Sequence, residues 1–144
     1  MRNYLLFALA ILSLPALACS SLKQPTDEEL FANAKSVFRA RVVETRLGKL
    51  VNPSNPSEVV EVVEAKYEIR EIFKGAPAAA GVVRDLPFGP GNCSLGLLAG
   101  MEYVFYPDAN NLVLTFSGSF GYLNAEGTDV KPRFEALRKL VASK

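Results

Sequence analysis

Cys19 and Cys93 are the two most reactive side chains in this 144-residue sequence, and the sequence has no His and no Trp. Without His, the commonest general base and the commonest metal ligand are both missing. No Ser-His-Asp or Cys-His arrangement can be assembled. The two cysteines lie too far apart in sequence for a redox Cys-x-x-Cys pair. Gly89-Pro90-Gly91 is not followed by the Lys-Ser/Thr of a phosphate-binding loop. Glu58, Glu61, Glu64 and Glu68 form the one carboxylate-rich run, and on an alternating strand they read as a solvated face rather than an acid–base pair. Asn92-Cys93-Ser94 fits a glycosylation sequon, a short pattern that also arises by chance. This inventory favours a binding module over an enzyme, with no cofactor and no metal of its own.

The chemistry of Cys19 depends on how the chain is processed. Arg2 provides a positive start, Tyr4 to Leu14 is apolar apart from Ser13, Pro15 breaks the run, and Ala16-Leu17-Ala18 provides small residues. This is the three-part pattern of a cleavable secretion signal, expected over residues 1–18. The run is shorter than the ~20 apolar residues a spanning helix needs. Export to the medium or the periplasm is therefore expected, with Cys19 first in the mature chain. A Cys after a small residue also ends lipoprotein signals, which prefer Leu three positions earlier; here that position is Ala16, and Leu17 comes one later. Three fates stay open. Lipidation would tether Cys19 to a membrane but orphan Cys93. A disulfide would account for both cysteines. A buried free thiol at Cys93 is the third.

Residues 19–144 suit one domain with one core. Sixteen Lys and Arg face fifteen Asp and Glu, and removing Arg2 with the signal leaves equal numbers. Balanced charge gives no reason to expect nucleic acid or an anionic membrane as partner. Membrane attachment is expected only if Cys19 is lipidated, and a monomer otherwise.

The elements that must position Cys19 and Cys93 follow from periodicity. Thr26 and Glu29 have capping-box spacing, which predicts a short helix ending near Lys35 or Ser36. Phe38, Ala40 and Val42 then alternate with Arg39, Arg41 and Val43, which predicts a strand with the first set inward. Gly48, Asn52, Pro53, Asn55 and Pro56 mark Leu47–Ser57 as an irregular hairpin tip. Glu58–Phe73 reads as the return strand, with Val63, Ala65, Tyr67 and Ile69 inward and a bulge near Glu71. Further strands are expected at Gly81–Leu86, Met101–Tyr106 and Leu112–Phe116, the last two as a hairpin, with Ser117–Asp129 irregular. Pro132 suits the start of a final helix to about residue 142, with Phe134, Leu137, Leu140 and Val141 on one face. Five short antiparallel strands suggest a mainly β fold, a five-stranded OB-like barrel with a helix at each end; a small β-sandwich is the alternative.

The chain resembles the tissue inhibitors of metalloproteinases and the broader netrin-like modules. The likeness is carried by Cys19-Ser20-Ser21, where those inhibitors begin Cys-x-Cys, and by Phe31 to Val43 as a helix-to-strand passage. Tyr67 to Gly75, ending in aromatic-Lys-Gly, and Cys93 followed by Gly100 and Glu102-Tyr103-Val104 complete it. The resemblance implies that the α-amino group and carbonyl oxygen of Cys19 chelate the zinc of a target protease. It also implies that Ser20 points toward the substrate pocket, that Cys93 is the disulfide partner of Cys19, and that the hairpin tip (Asn52, Pro53, Asn55, Pro56) makes a secondary contact. The family's second cysteine is Ser21 here, and its partner falls near Phe116, so both halves of that bridge are absent together. The family's C-terminal disulfide-rich part is replaced by a short helix. A membrane-anchored lipoprotein or adaptor with the same fold and no inhibitory activity is the competing expectation. OB-type recognition of oligosaccharide or nucleic acid is disfavoured by the balanced charge and the absence of Trp.

Overall fold

A computed structural model describes residues 25–52, 55–89 and 93–143. The expected signal segment, Cys19, Ser20, Ser21, Pro53 and Asn92 lie outside the described residues. The elements are α1 (Asp27–Asn33), β1 (Val37–Asn52), β2 (Asn55–Lys74), β3 (Ala80–Asp85), β4 (Glu102–Phe105), β5 (Phe120–Tyr122) and α2 (Lys131–Ala142). The fold is mainly β: one antiparallel sheet in the order β3-β2-β1-β4-β5, with two helices.

The expected capping box starts α1. Thr26 Oγ1 accepts from the Glu29 amide at 3.2 Å, and the Thr26 amide donates to Glu29 Oε2 at 2.9 Å. The helix stops at Asn33, short of Lys35, because Ala34 turns extended. Lys74 Nζ from the end of β2 donates to the carbonyls of Phe31 (2.7 Å) and Ala32 (2.8 Å). A cation on the open carbonyls of a helix end is favourable. Pro132 lies in the first turn of α2, as expected. Phe134 and Leu137 are buried, Leu140 is partly buried, and Val141 is exposed, at the edge of the stripe.

The sheet is buried on both faces. Phe38, Ala40 and Val42 point as expected into a core with Ala65, Tyr67, Val83, Leu97, Tyr103, Phe105 and Val113. The opposite face buries Val37, Phe73, Val104 and Tyr122 beneath Phe31, Phe134 and Leu137 of the helices. Single-face alternation underestimates this second core. The bulge expected near Glu71 is present as two register slips, with Ile72 opposite Phe38, Glu71 opposite Arg39 and Ile69 opposite Ala40. Phe73 thereby joins the helix-side core while Ile72 stays half exposed.

Three expectations are corrected. First, Leu47–Ser57 is not irregular: β1 runs to Asn52, β2 resumes at Asn55, and Leu47 pairs with Val63 and Val51 with Val59. The ladder needs only main-chain groups, and cross-strand pairs support it: Glu44 with Lys66 at 2.7 Å and Arg46 with Glu64 at 2.8 Å. Gly48 is there for space rather than for turning, since a Cβ would lie 2.7 Å from the Glu64 side chain.

Second, Leu112–Phe116 is not a strand and does not form a hairpin with β4. Asp108 Oδ1 accepts from the amides of Asn110 (2.7 Å) and Leu112 (2.8 Å) and turns the chain away. Leu112 makes one isolated parallel bridge to Arg84, and Thr115–Ser117 forms a 3₁₀ turn. The partner of β4 is β5, within the stretch expected to be irregular. Gly121 permits that pairing, because a Cβ there would lie 2.6 Å from the Tyr103 ring.

Third, the sheet is not closed as a barrel. The edge strands β3 and β5 are not neighbours; an isolated bridge at Arg84, joined by the Arg84 side chain donating to the Asn110 carbonyl at 3.1 Å, lays the chain before β5 along the outer edge of β3.

Phe105 lies in the inner core, stacked on Tyr103 and edge-on to Phe38. Urea unfolding of Phe105→Ala should show a loss of about 3–5 kcal/mol. Leu47→Ala, on the exposed arm, should change stability by less than about 0.5 kcal/mol.

Candidate functional site

Cys93 opens a loop that runs to Met101 and is shaped by side chains from three elements. Asp85, the last residue of β3, is 0 % exposed. Its Oδ2 accepts from the amides of Leu95 (2.9 Å) and Gly96 (2.8 Å), and its Oδ1 from the amide of Leu86 (2.8 Å). The Tyr103 hydroxyl donates to the Gly96 carbonyl and accepts from the Leu98 amide, each at 2.9 Å. Thr115 donates to the Cys93 carbonyl through its amide (3.2 Å) and its hydroxyl (3.1 Å). Gly96 has φ 73°, a backbone that lets two consecutive amides reach one carboxylate oxygen. Leu97 then enters the inner core, and the Gly100 amide closes on the Val42 carbonyl at 2.8 Å.

Burial raises the pKa of the Asp85 carboxyl, while the amides of Leu95, Gly96 and Leu86 act in the opposite sense by stabilising the anion. Burial likewise raises the pKa of the Tyr103 phenol, and the Asp85 charge adds to it. Sequence reading missed Asp85 and Tyr103. One signal was available for Asp85: it falls in phase with the inward Val83, so a carboxylate sits where the pattern calls for an apolar side chain.

The described residues of the expected secondary contact, Asn52, Asn55 and Pro56, lie away from this loop. Asn52 and Asn55 face each other at the hairpin tip. Asn52 Nδ2 donates to Glu58 Oε2 at 2.7 Å, Asn55 Oδ1 accepts from the Ser57 amide at 3.3 Å, and Pro56 is exposed. β3 stops pairing with β2 at Val63, opposite Asp85. At the ordinary strand rise the tip lies about 25 Å beyond that point.

The four glutamates do not converge either. Glu64 is held by Arg46 (2.8 Å) and Arg84 (3.1 Å), Glu58 bonds Asn52, and Glu61 is exposed. Hydrogen bonding from Arg46 leads the lowering of the Glu64 pKa, against the effect of burial. Among the described residues no group of three or more His, Cys, Asp or Glu side chains could hold a metal ion. No helix among them is long and apolar enough to cross a membrane.

A second polar cluster ties the helix side together. Arg39 Nη2 and Nε donate to Glu102 Oε2 at 2.6 and 2.9 Å. The Tyr122 hydroxyl donates to the same oxygen at 2.5 Å and accepts from Arg39 Nε. The guanidinium lies 5.5 Å from the Phe134 ring centre. The cluster joins β1, β4, β5 and α2.

No known protein family and no curated protein matches this chain.

The Glu102 cluster makes a pH-dependent contribution whose sign follows from its environment. Burial raises the Glu102 pKa, but hydrogen bonds from Tyr122 and Arg39 outweigh it, so the folded value lies below the ordinary one. Its stabilisation is present above the unfolded pKa of about 4.3 and is lost as pH falls through the folded pKa. Glu102→Gln should lower stability at pH 7 by about 1–3 kcal/mol. Urea titrations at pH 7 and pH 3 should show the gap between variant and parent shrinking in acid.

Proposed function

We propose that this chain is an exported protein-binding module of the netrin-like type, built on an open OB-like sheet, that engages a zinc metalloprotease through its mature N-terminus. Cys19 is the chelating residue, Ser20 lies toward the substrate pocket, and a Cys19–Cys93 disulfide holds the donor atoms. The observation that carries this reading is the fixed path of the loop after Cys93, pinned by Asp85, Tyr103 and Thr115. A disulfide to a pinned loop orders the chelating residue in advance and lowers the ordering cost of binding. Catalytic zinc keeps an open position for a neutral donor, and an α-amine with its adjacent carbonyl makes a compact chelate. The amine titrates near pH ~8, so its unprotonated form is accessible at neutral pH. The strand order and the parallel bridge between Arg84 and Leu112 support the OB-like reading, since that bridge lies where a sheet of this order would close.

The long β1–β2 arm offers a second contact, with Asn52, Asn55 and Pro56 at its tip and the exposed Leu47, Val51 and Val59 along one face. A large partner could touch the Cys93 edge and the tip at once. The competing reading is an envelope lipoprotein or adaptor with an acylated Cys19, motivated by the Ala18-Cys19 junction.

Intact mass separates the two readings. A mature species starting at Cys19 and two hydrogens light supports the disulfide, whereas added acyl mass supports the lipoprotein. The exported protein should inhibit at least one member of a zinc-metalloprotease panel, and acetylating its N-terminus should abolish that inhibition. Inhibition that survives acetylation rules out chelation by the Cys19 amine.

A further inference from the structure

We infer that Asp85 is the positioning residue of the Cys93 edge: its carboxylate sets the path of residues 94–98 and thereby fixes where Cys93 is held. The functional consequence rests on the proposed role of Cys93 as the anchor of Cys19. Three observations carry the inference. Asp85 is fully buried at the end of a strand, in phase with Val83, a place where core packing alone calls for an apolar side chain. Among the described residues no Lys or Arg forms an ion pair with it, so main-chain amides solvate its charge. Two of those amides, Leu95 and Gly96, come two and three residues after Cys93. Consecutive amides curled round an anion form a small nest, and here the anion is the protein's own side chain. The loop takes its shape from a residue of β3 rather than from its own ladder. Tyr103 and Thr115 then hold the same segment from β4 and from the 3₁₀ turn.

Asp85→Asn retains the size of the side chain but replaces one acceptor oxygen with a donor that faces N–H groups. In the exported, full mature protein, this variant should speed amide exchange at Leu95 and Gly96 by roughly tenfold or more. Exchange at Val104, in the β4 ladder, should change far less. The Cys19–Cys93 bond should be reduced several-fold faster by dithiothreitol than in the parent protein. Unchanged exchange at Leu95 and Gly96, a uniform acceleration at every amide, or an unchanged reduction rate would each overturn the positioning role.

The parent protein provides a test that does not depend on whether the variant folds. Its Leu95 and Gly96 amides should be protected to the level of the β4 ladder, and exchange at the rate of free loop amides would refute the inference. If intact mass shows no Cys19–Cys93 bond, the proposed function falls, while the hold of Asp85 on the loop is still decided by the exchange rates.

Discussion

The buried carboxylate of Asp85 is the interaction on which the inner core depends. A charge taken out of water is costly unless it is fully hydrogen-bonded. Here the compensation comes from the amides of Leu86, Leu95 and Gly96, and making those bonds bends the loop after Cys93 over the sheet. Leu97 is thereby delivered into the core, and the Tyr103 hydroxyl finds both a donor and an acceptor in the same loop. The lid of the inner core is thus held by polar bonds at its margin and by one apolar side chain at its centre.

The opposite face is closed differently. α2 packs Phe134 edge-on to Tyr122 with ring centres 5.1 Å apart, and Arg138 makes two 3.0 Å hydrogen bonds to Glu71. The Arg39–Glu102–Tyr122 cluster fills the junction between the helix and three strands. Burial on both faces holds β4, with four residues, and the packing of Phe120 and Tyr122 against the helix side holds β5, with three. The β1–β2 arm is the opposite case. Ion pairs cover one of its faces, and Leu47, Val51 and Val59 lie exposed on the other. Nothing in the core needs that length, which makes the arm a candidate for contact rather than for stability.

These two features give the molecule a fixed point and a reach. The Cys93 loop is fixed at the end of β3, and the tip of the arm lies about 25 Å away along the strands. A partner that needs both would recognise the distance between them as well as the chemistry at each end.

Much of the fold is legible in local pattern. The Thr26–Glu29 box, the inward phase of Phe38, Ala40 and Val42, the slip near Glu71 and the helix after Pro132 each depend on residues a few positions apart, and each is present. The sequence by itself also determined the chemistry that is missing, because a chain without His has no histidine catalysis wherever its atoms lie. Tertiary structure decided the rest. Leu112–Phe116 has the composition of a strand, yet Asp108 turns it aside and β4 pairs with Phe120–Tyr122 because Gly121 admits the Tyr103 ring. The turn residues around Gly48 join a ladder because their partners lie directly across the hairpin. Asp85 matters because amides ten and eleven residues later fold back onto it. Periodicity records which way neighbouring side chains point, and it carries no term for which distant group will meet them.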